Sequence, residues 1–263
     1  MGISKLELIE TMEQIAPTRL AEPWDNCGMQ INLECGEIRK ILVTLEITKE
    51  IVTEARSLSV DLIVTHHPLY FSSFKSINSN NVIGNYTIDL IQQGISVYSA
   101  HTNFDRAAHG NNFYLADLLS LKNIKNFEVF GENYIGLFGK LPQEVMLKDI
   151  ISNLKNILNL QANELKAIGN LETMISKIGL CTGAGIDMIE IAAVNNCQLF
   201  ITGDVKYHDA IKAKEMGMNV IDAGHYGTEK IFIPNMAKQL KDALGSKVEI
   251  FQSQVNINPF DFL

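Results

Sequence analysis

Leu62-Ile63-Val64-Thr65-His66-His67-Pro68-Leu69 is the stretch on which the fold turns. An apolar run ends in two adjacent histidines, and a proline follows at once. Inside a strand, neighbouring side chains point to opposite faces, so His66 and His67 could not converge on one ion there. At a strand's end that alternation lapses. Pro68, with its fixed φ, holds His67 in an extended or turn conformation. One reading is two histidines serving two nearby targets, such as two metal ions. The other is a buried histidine beside a surface one. Taken alone the pair favours the second reading, and the choice rests on the remaining chain.

Upstream of this stretch, Ile38 to Ile47 predicts a strand, Thr48 an N-cap, and 49–58 a helix. Asp61 to Thr65 is the next strand. Nearer the N-terminus, Leu6, Leu8, Ile9, Met12 and Ile15 fall at helical spacing, and Pro17 stops the pattern. The turn-rich segment Ala21-Glu22-Pro23-Trp24-Asp25-Asn26-Cys27-Gly28 carries the only tryptophan. Asp25 and Asn26 either serve a site or form an Asx-type turn closed by Gly28, and turn chemistry favours the latter.

Downstream, residues 72–85 are rich in Ser and Asn, as a surface loop would be. A helix through Ile88, Leu90 and Ile91 stops at Gly94, a residue suited to a left-handed cap. Ile95 to Ala100 is a third strand and runs straight into His101-Thr102-Asn103-Phe104-Asp105. A helix from about Asn111 to Leu121 closes the first half. Between 122 and 175, Gly131, Gly136 and Gly139 punctuate short strand-like runs. Leu147, Ile150, Ile151, Leu154 and Leu158 then mark an amphipathic helix.

After Lys177 the earlier rhythm returns. Ile178 to Cys181 ends in Thr182-Gly183-Ala184-Gly185, and Leu199 to Ile201 ends in Thr202-Gly203-Asp204, with His208 four residues on. Val220-Ile221 ends in Asp222-Ala223-Gly224-His225-Tyr226-Gly227-Thr228-Glu229. A helical pattern continues to Leu244, with Pro234 in its first turns or kinking it, and Val248 to Phe251 is a last strand. Five apolar runs thus finish in polar or glycine-rich residues and pass into a helix. That is an α/β layout, in which ligands bind at the carboxyl ends of the strands.

Composition sets the class. Of the 263 residues, 46% are hydrophobic and 20% charged, as in a globular protein with a sizeable core. A net charge of −8 and a pI near 5.3 argue against a broad nucleic-acid or anionic-membrane surface. No apolar run approaches the roughly 20 residues of a membrane helix, and Met1 to Lys5 leads into a charged amphipathic stretch with no signal core. A cytoplasmic protein is expected. Cys27, Cys35, Cys181 and Cys197 form no Cys-x-x-Cys and read as reduced packing residues.

Four groups at strand ends carry chemistry: His66/His67, Asp105, Asp204/His208 and His225/Glu229. Imidazole nitrogen with carboxylate oxygen suits zinc, iron, manganese, cobalt or nickel. A carboxylate can bridge two ions, and Glu229 follows His225 by one helical turn. One strand-end histidine is ordinarily structural, but three histidines and two carboxylates at separate strand ends favour a metal site. The chain has no Gly-x-Ser-x-Gly elbow and no Walker loop. Thr182-Gly183-Ala184-Gly185 could present N–H groups to an anion, but a plain tight turn is favoured. His101 and His109 flank Asp105, and His101 reads as support for a ligand or as structural.

Trp24-Asp25-Asn26-x-Gly28, Thr65-His66-His67-Pro68, His101-Thr102-Asn103-Phe104-Asp105, Thr202-Gly203-Asp204-x-Lys206-Tyr207-His208-Asp209 and Gly224-His225-Tyr226-x-Thr228-Glu229 occur in this order. Together they resemble the family of GTP cyclohydrolase type 2 homologues, the Nif-three-like dinuclear metal proteins. The likeness covers nearly the whole chain. It implies an α/β fold of two related halves whose strand-end residues converge on one dinuclear metal site. The halves are expected at 1–125 and 126–263, with a short middle segment at about 126–175 and no large inserted domain. The resemblance further implies two divalent ions held by His66, His67, Asp105, His225 and Glu229, with Glu229 bridging, and a toroidal homohexamer. Two departures from the family pattern, Glu46 in place of an aspartate and His109 in place of a glycine or proline, are expected to touch no ligand.

The function implied is a metal-dependent hydrolase acting on a nucleotide or related small molecule, with His208 or Asp204 moving the proton. The alternative is a metal-binding, metal-delivery or regulatory protein without turnover. A titratable His208 beside the metals favours the hydrolase.

Overall fold

The computed structural model describes residues 2–34, 36–161 and 163–262, so Cys35 lies outside the described residues. In chain order the elements begin α1 (Lys5–Ile15), β1 (Gly28–Ile31), β2 (Lys40–Thr44), α2 (Lys49–Leu58), β3 (Leu62–Thr65), α3 (Val82–Gln92), β4 (Ser96–Ser99) and α4 (Thr102–Arg106). They continue with α5 (Asn111–Leu118), β5 (Lys122–Val129), β6 (Glu132–Met146), α6 (Leu147–Ile157), β7 (Lys166–Ile168), β8 (Met174–Leu180) and α7 (Ile189–Val194). The last are β9 (Leu199–Thr202), α8 (Tyr207–Glu215), β10 (Asn219–Asp222), α9 (His225–Glu229), α10 (Phe232–Leu244) and β11 (Glu249–Gln252). No helix among the described residues is long and apolar enough to cross a membrane.

The chain divides into two compact units, Met1–Gly110 with Phe232–Ile257, and Asn111–Ile231 with Asn258–Leu263. This differs from the expected halves at 1–125 and 126–263. Helix α5 does not close the first half, because its Leu115 and Ala116 pack in the second unit's core, and β11 pairs in parallel with β2 and returns the end of the chain to the first sheet.

The first unit's sheet has the order β1-β4-β3-β2-β11. Strands β2, β3, β4 and β11 are parallel, and β1 runs antiparallel on β4. Parallel strands covered on both faces read as continuous apolar runs, and Leu62 to Thr65 is buried at every position. Leu42, Ile63 and Val97 pack with Ile51, Ala55 and Leu90 from α2 and α3. Thr48 caps α2 as predicted, its hydroxyl accepting from Ile51 N–H at 3.3 Å. Gly94 follows α3 at φ +72°. That helix starts earlier than predicted because Asn81, inside the polar stretch, caps it by accepting from Gly84 N–H at 2.9 Å.

The second unit's sheet has the order β5-β6-β8-β9-β10-β7. Its centre, β8, β9 and β10, is parallel, with β6 and β7 antiparallel on either side. The strand-like runs after residue 122 become the β5–β6 hairpin, whose tip is Phe130 and Gly131 at φ +51° and +84°. Helix α6 buries Leu147, Ile150 and Leu154, the stripe read from the sequence. Pro234 is the third residue of α10, so it lies in the first turn of that helix, which is separate from α9.

The two sheets share a plan. The first reads β1-β4-β3-β2, the second β7-β10-β9-β8, with the outer strand antiparallel in each. Chemistry-bearing residues follow the same strands in both: β3 and β4 in the first, β9 and β10 in the second.

Candidate metal centre

In the first unit the donors leave β3 and β4. The ladder of β3 ends where the N–H groups of His66 and His67 both donate to the Leu45 carbonyl, at 3.1 and 2.9 Å. That shared acceptor breaks the strand alternation that would have sent the two rings to opposite faces. His66 is fully buried, and its Nδ1 lies 2.9 Å from the Ala100 carbonyl. The His67 Nδ1 lies 2.9 Å from Glu46 Oε2, and the His101 Nδ1 lies 2.9 Å from Asp25 Oδ1. His66, His67 and His101 each offer a ring nitrogen, and these lie within 4.8 Å of one another. Asp105, nearly buried on α4, brings Oδ2 to 3.6 Å from His66 Nε2.

Three expectations are corrected here. Asp25 does more than form a turn: its carboxylate also accepts from Thr102 N–H at 3.0 Å, from the Thr102 hydroxyl and from the Cys27 thiol at 3.1 Å. Burial alone would raise this carboxyl, but the bonds from His101, Thr102 and Cys27 outweigh it and hold the group well below the usual carboxylate range. Burial, with Asp25 beside it, pushes the Cys27 thiol up to about 12, so it stays protonated and donates. Glu46 touches His67, a proposed ligand. Its extra methylene relative to aspartate is accommodated by an acceptor that is still half exposed. His101 groups with His66 and His67 as a candidate donor rather than only as a support, and Asp25 bonds its Nδ1. The His109 carbonyl accepts from the Asn235 and Gln239 side-chain amides.

In the second unit the donors sit at the ends of β9 and β10. Asp204 takes φ +56°, a left-handed conformation that aspartate tolerates, and its Oδ2 lies 2.8 Å from His225 Nδ1. His225 opens α9, and its Nε2 lies 2.9 Å from Oε2 of Glu229, one turn later. Gly203 lets two backbones meet: a Cβ there would lie 2.6 Å from the Gly224 carbonyl carbon and from the His225 nitrogen. Thr182-Gly183-Ala184-Gly185 is a turn that cradles Glu229. Gly183 has φ +69°, donates its N–H to the Thr228 hydroxyl at 2.9 Å, and leaves the space that a Cβ would take 2.0 Å from Glu229 Oε1. Glu229 is itself buried.

One pattern runs through both units. A carboxylate or carbonyl oxygen can only accept, so an Nδ1–H donor satisfies this contact in His66, His67, His101 and His225, while the Nε2 of His225 also faces the Glu229 carboxylate at 2.9 Å. Histidines that ligate metals are held in this way, the second ring nitrogen donating to a carboxylate or a carbonyl. Four of the six histidines have this support. His109 and His208 have none among the described residues. Two buried carboxylates, Asp105 and Glu229, complete donor sets that suit a divalent transition metal.

The model of the Duf34/NIF3 (NGG1p interacting factor 3) family matches residues 4–259. The chain belongs to the Duf34/NIF3 family. A "GTP cyclohydrolase 1 type 2 homolog" of Clostridium perfringens is 34% identical over 260 residues, covering 98% of both chains. A Helicobacter pylori protein named "GTP cyclohydrolase 1 type 2" is 35% identical over 228 residues, covering 86% of this chain and 87% of its own. Among solved structures, a hypothetical protein of Staphylococcus aureus superposes with a TM-score of 0.91 at 26% identity over the full length of both chains.

Membership agrees with the motifs quoted above and with the mixed α/β fold of two sheets. His208 lies exposed on α8, its ring packed edge-on against Tyr207 at 5.3 Å. Asp204 and His225 also line a cavity of about 250 Å³ in the second unit, together with Tyr226, Phe260 and Phe262. The residues that sequence reasoning undervalued are Asp25, Glu46 and His101. The usable signal was the repeat of a histidine four residues before a carboxylate, His101/Asp105 and His225/Glu229.

Proposed function

We propose that this chain is a metal-dependent hydrolase acting on a nucleotide or related small molecule. His66, His67, Asp105, His225 and Glu229 hold two divalent ions in this reading, with Glu229 shared between them and His101 a further donor. The observation that supports it best is the placement of four histidines, each with its Nδ1 2.8–2.9 Å from an oxygen acceptor. The substrate class follows the names of the Clostridium and Helicobacter relatives.

Divalent ions in such a site lower the pKa of water and polarise a substrate oxygen. The chain's own residues prepare the site. Glu46, Asp25 and Asp204 keep three rings in one orientation, and a ring so held loses no freedom on binding. Burial of His66, Asp105 and Glu229 excludes bulk water and strengthens their attraction for a cation. Proton transfer is assigned to His208, since imidazole is the side chain suited to it near neutral pH. The assembly proposed is the toroidal homohexamer of the resemblance. Net charge of −8 keeps such a ring soluble without preventing specific contacts.

Elemental analysis of purified protein tests the metal, with zinc, iron, manganese, cobalt and nickel each measured. About two ions per chain are expected, and trace metal after reconstitution would refute the reading. A screen of nucleotides and phosphoesters on the loaded protein then tests turnover. Two ions with no turnover would identify a metal-binding or metal-delivery protein instead. Light scattering tests the ring, which a stable monomer at micromolar concentration would contradict.

A further inference from the structure

We propose that the cavity built by residues 69–87 of the first unit binds a planar-ring compound that carries an anionic group, with Lys75 taking the anion and Phe74 the ring. The cavity measures about 440 Å³, within the range of about 300–1,000 Å³ typical of small-molecule sites. Its walls combine Tyr70, Phe71 and Phe74 with Ser72, Ser73 and Ser76. Phe71 and Phe74 are 58% and 48% exposed, a large aromatic surface left to water by one short segment. Tyr70 and Phe74 lie 4.9 Å apart with their rings tilted by 52°, forming a ready face for a third ring.

Charge decides the rest of the ligand. Lys75 is the one formally charged side chain lining the cavity, in a chain of net charge −8, and it makes no ion pair among the described residues. With three serine hydroxyls in the same wall it forms a set that suits a phosphate or carboxylate. The cavity is also held in place. Tyr70 bonds through its hydroxyl to Thr87 Oγ1 at 2.8 Å and accepts at its carbonyl from the Asn26 amide at 2.8 Å. Gly84 packs so closely on the loop that a Cβ there would lie 2.3 Å from the Asn78 carbonyl oxygen.

The cavity adjoins the donors. The Phe71 ring centre is 6.3 Å from that of His67 and 5.7 Å from that of His101, edge-on to the latter. A ring held here presents its substituents to the histidine cluster. This part rests on the hydrolase reading, whereas binding in the cavity does not require a metal.

Calorimetric titration of the full-length protein, as purified and again with EDTA, uses GMP, guanosine and inorganic phosphate as probes. GMP is expected to bind with and without EDTA, and guanosine and phosphate each at least about tenfold more weakly. Lys75→Ala should cost about tenfold for GMP and nothing for guanosine, Lys75→Arg should restore GMP binding, and Phe74→Ala should weaken both ligands. GMP affinity unchanged in both alanine variants would overturn the proposal, as would failure of every probe at millimolar concentration or loss of all binding in EDTA. A change of sedimentation in Phe74→Ala with GMP affinity intact would overturn it too, by showing that a second copy covers the loop. Failure of the hydrolase reading would appear in the metal analysis and leave these titrations as they are.

Discussion

Asp105 and Glu229 are topological counterparts, each the carboxylate of a five-residue helix that follows the parallel strand next to an antiparallel outer strand, β4 beside β1 and β10 beside β7. Each comes four residues after a histidine, and each of those histidines, His101 and His225, bonds through Nδ1 to an aspartate, Asp25 or Asp204. The matching sheet orders β1-β4-β3-β2 and β7-β10-β9-β8 put the two devices at equivalent strand ends. The same local arrangement therefore occurs twice: an imidazole held at Nδ1 by an aspartate, and a buried carboxylate on a short helix.

Asp25→Asn tests the support of His101. The amide keeps the shape but loses the charge that gathers five donors, from Asn26, Cys27, His101 and twice from Thr102, so His101 should be less firmly held. Metal affinity should fall by about 10- to 100-fold, read by competition with a chromophoric chelator. Asn26→Ala, which alters only bonds to Gln30 and Tyr70, should leave it unchanged. Equal affinities in wild type and Asp25→Asn would return Asp25 to the role of a turn residue.

The same carboxylate predicts an acid dependence. The folded protein holds Asp25 below the usual carboxylate range, whereas the unfolded chain has an ordinary value of about 3.9. Its contribution to stability is thus fully present above about pH 4 and is lost as pH falls further toward the folded value. Denaturant midpoints measured from pH 6 down to about pH 3 should therefore fall less steeply at the acid end in Asp25→Asn than in wild type. Parallel curves would contradict the assignment.

The elements legible in the sequence were those with short-range causes. Strands β2, β3, β4, β9 and β10 are compact apolar runs buried at nearly every position, and Thr48 and Gly94 act within a turn of their own helices. Strand β5 is mostly exposed and β1 is only half-buried at its two central residues, so neither reads as a continuous apolar run. The unit boundaries depend on β11 finding β2 across most of the chain. The histidine supports are equally non-local: Asp25 and His101 are 76 residues apart, and Glu46 and His67 are 21 apart. No periodicity encodes such a bond, so the candidate donors could be picked out of the sequence and the groups that orient them could not.

Gly183 separates backbone strain from crowding of the site. Alanine there meets both a φ of +69° and the Glu229 carboxylate, whose Oε1 would lie 2.0 Å from the new Cβ. Gly217 has nearly the same φ, +67°, with nothing within 4 Å. Both alanine variants should lose about 1–2 kcal/mol of stability from the left-handed backbone. Only Gly183→Ala should also lose metal, because Glu229 must move. Chemical denaturation beside elemental analysis reads both effects, and equal metal content in the two variants would show that the cradle does not position Glu229.

The final pair of substitutions separates a donor from its surroundings. Glu229→Gln keeps the size and one carbonyl oxygen but removes the buried charge that the proposed two-cation site would need. At least one ion should be lost while the fold is retained, since the amide still fits the space beside Gly183. His208 is exposed, lies on α8 and has no oxygen acceptor fixing its ring among the described residues, so His208→Ala should keep the full metal content of the wild type. Hydrolysis, once a substrate is in hand, should fall in both variants, through the metal in the first and through proton transfer in the second. In His208→Ala the loss should be largest where the proton donor or acceptor limits the rate, which changes the shape of the pH profile as well as its height. Elemental analysis and circular dichroism on both proteins settle the matter. A His208→Ala protein stripped of metal beside a fully loaded Glu229→Gln would reverse the roles given to these two residues, and the shared carboxylate and the proton shuttle would have to be abandoned together.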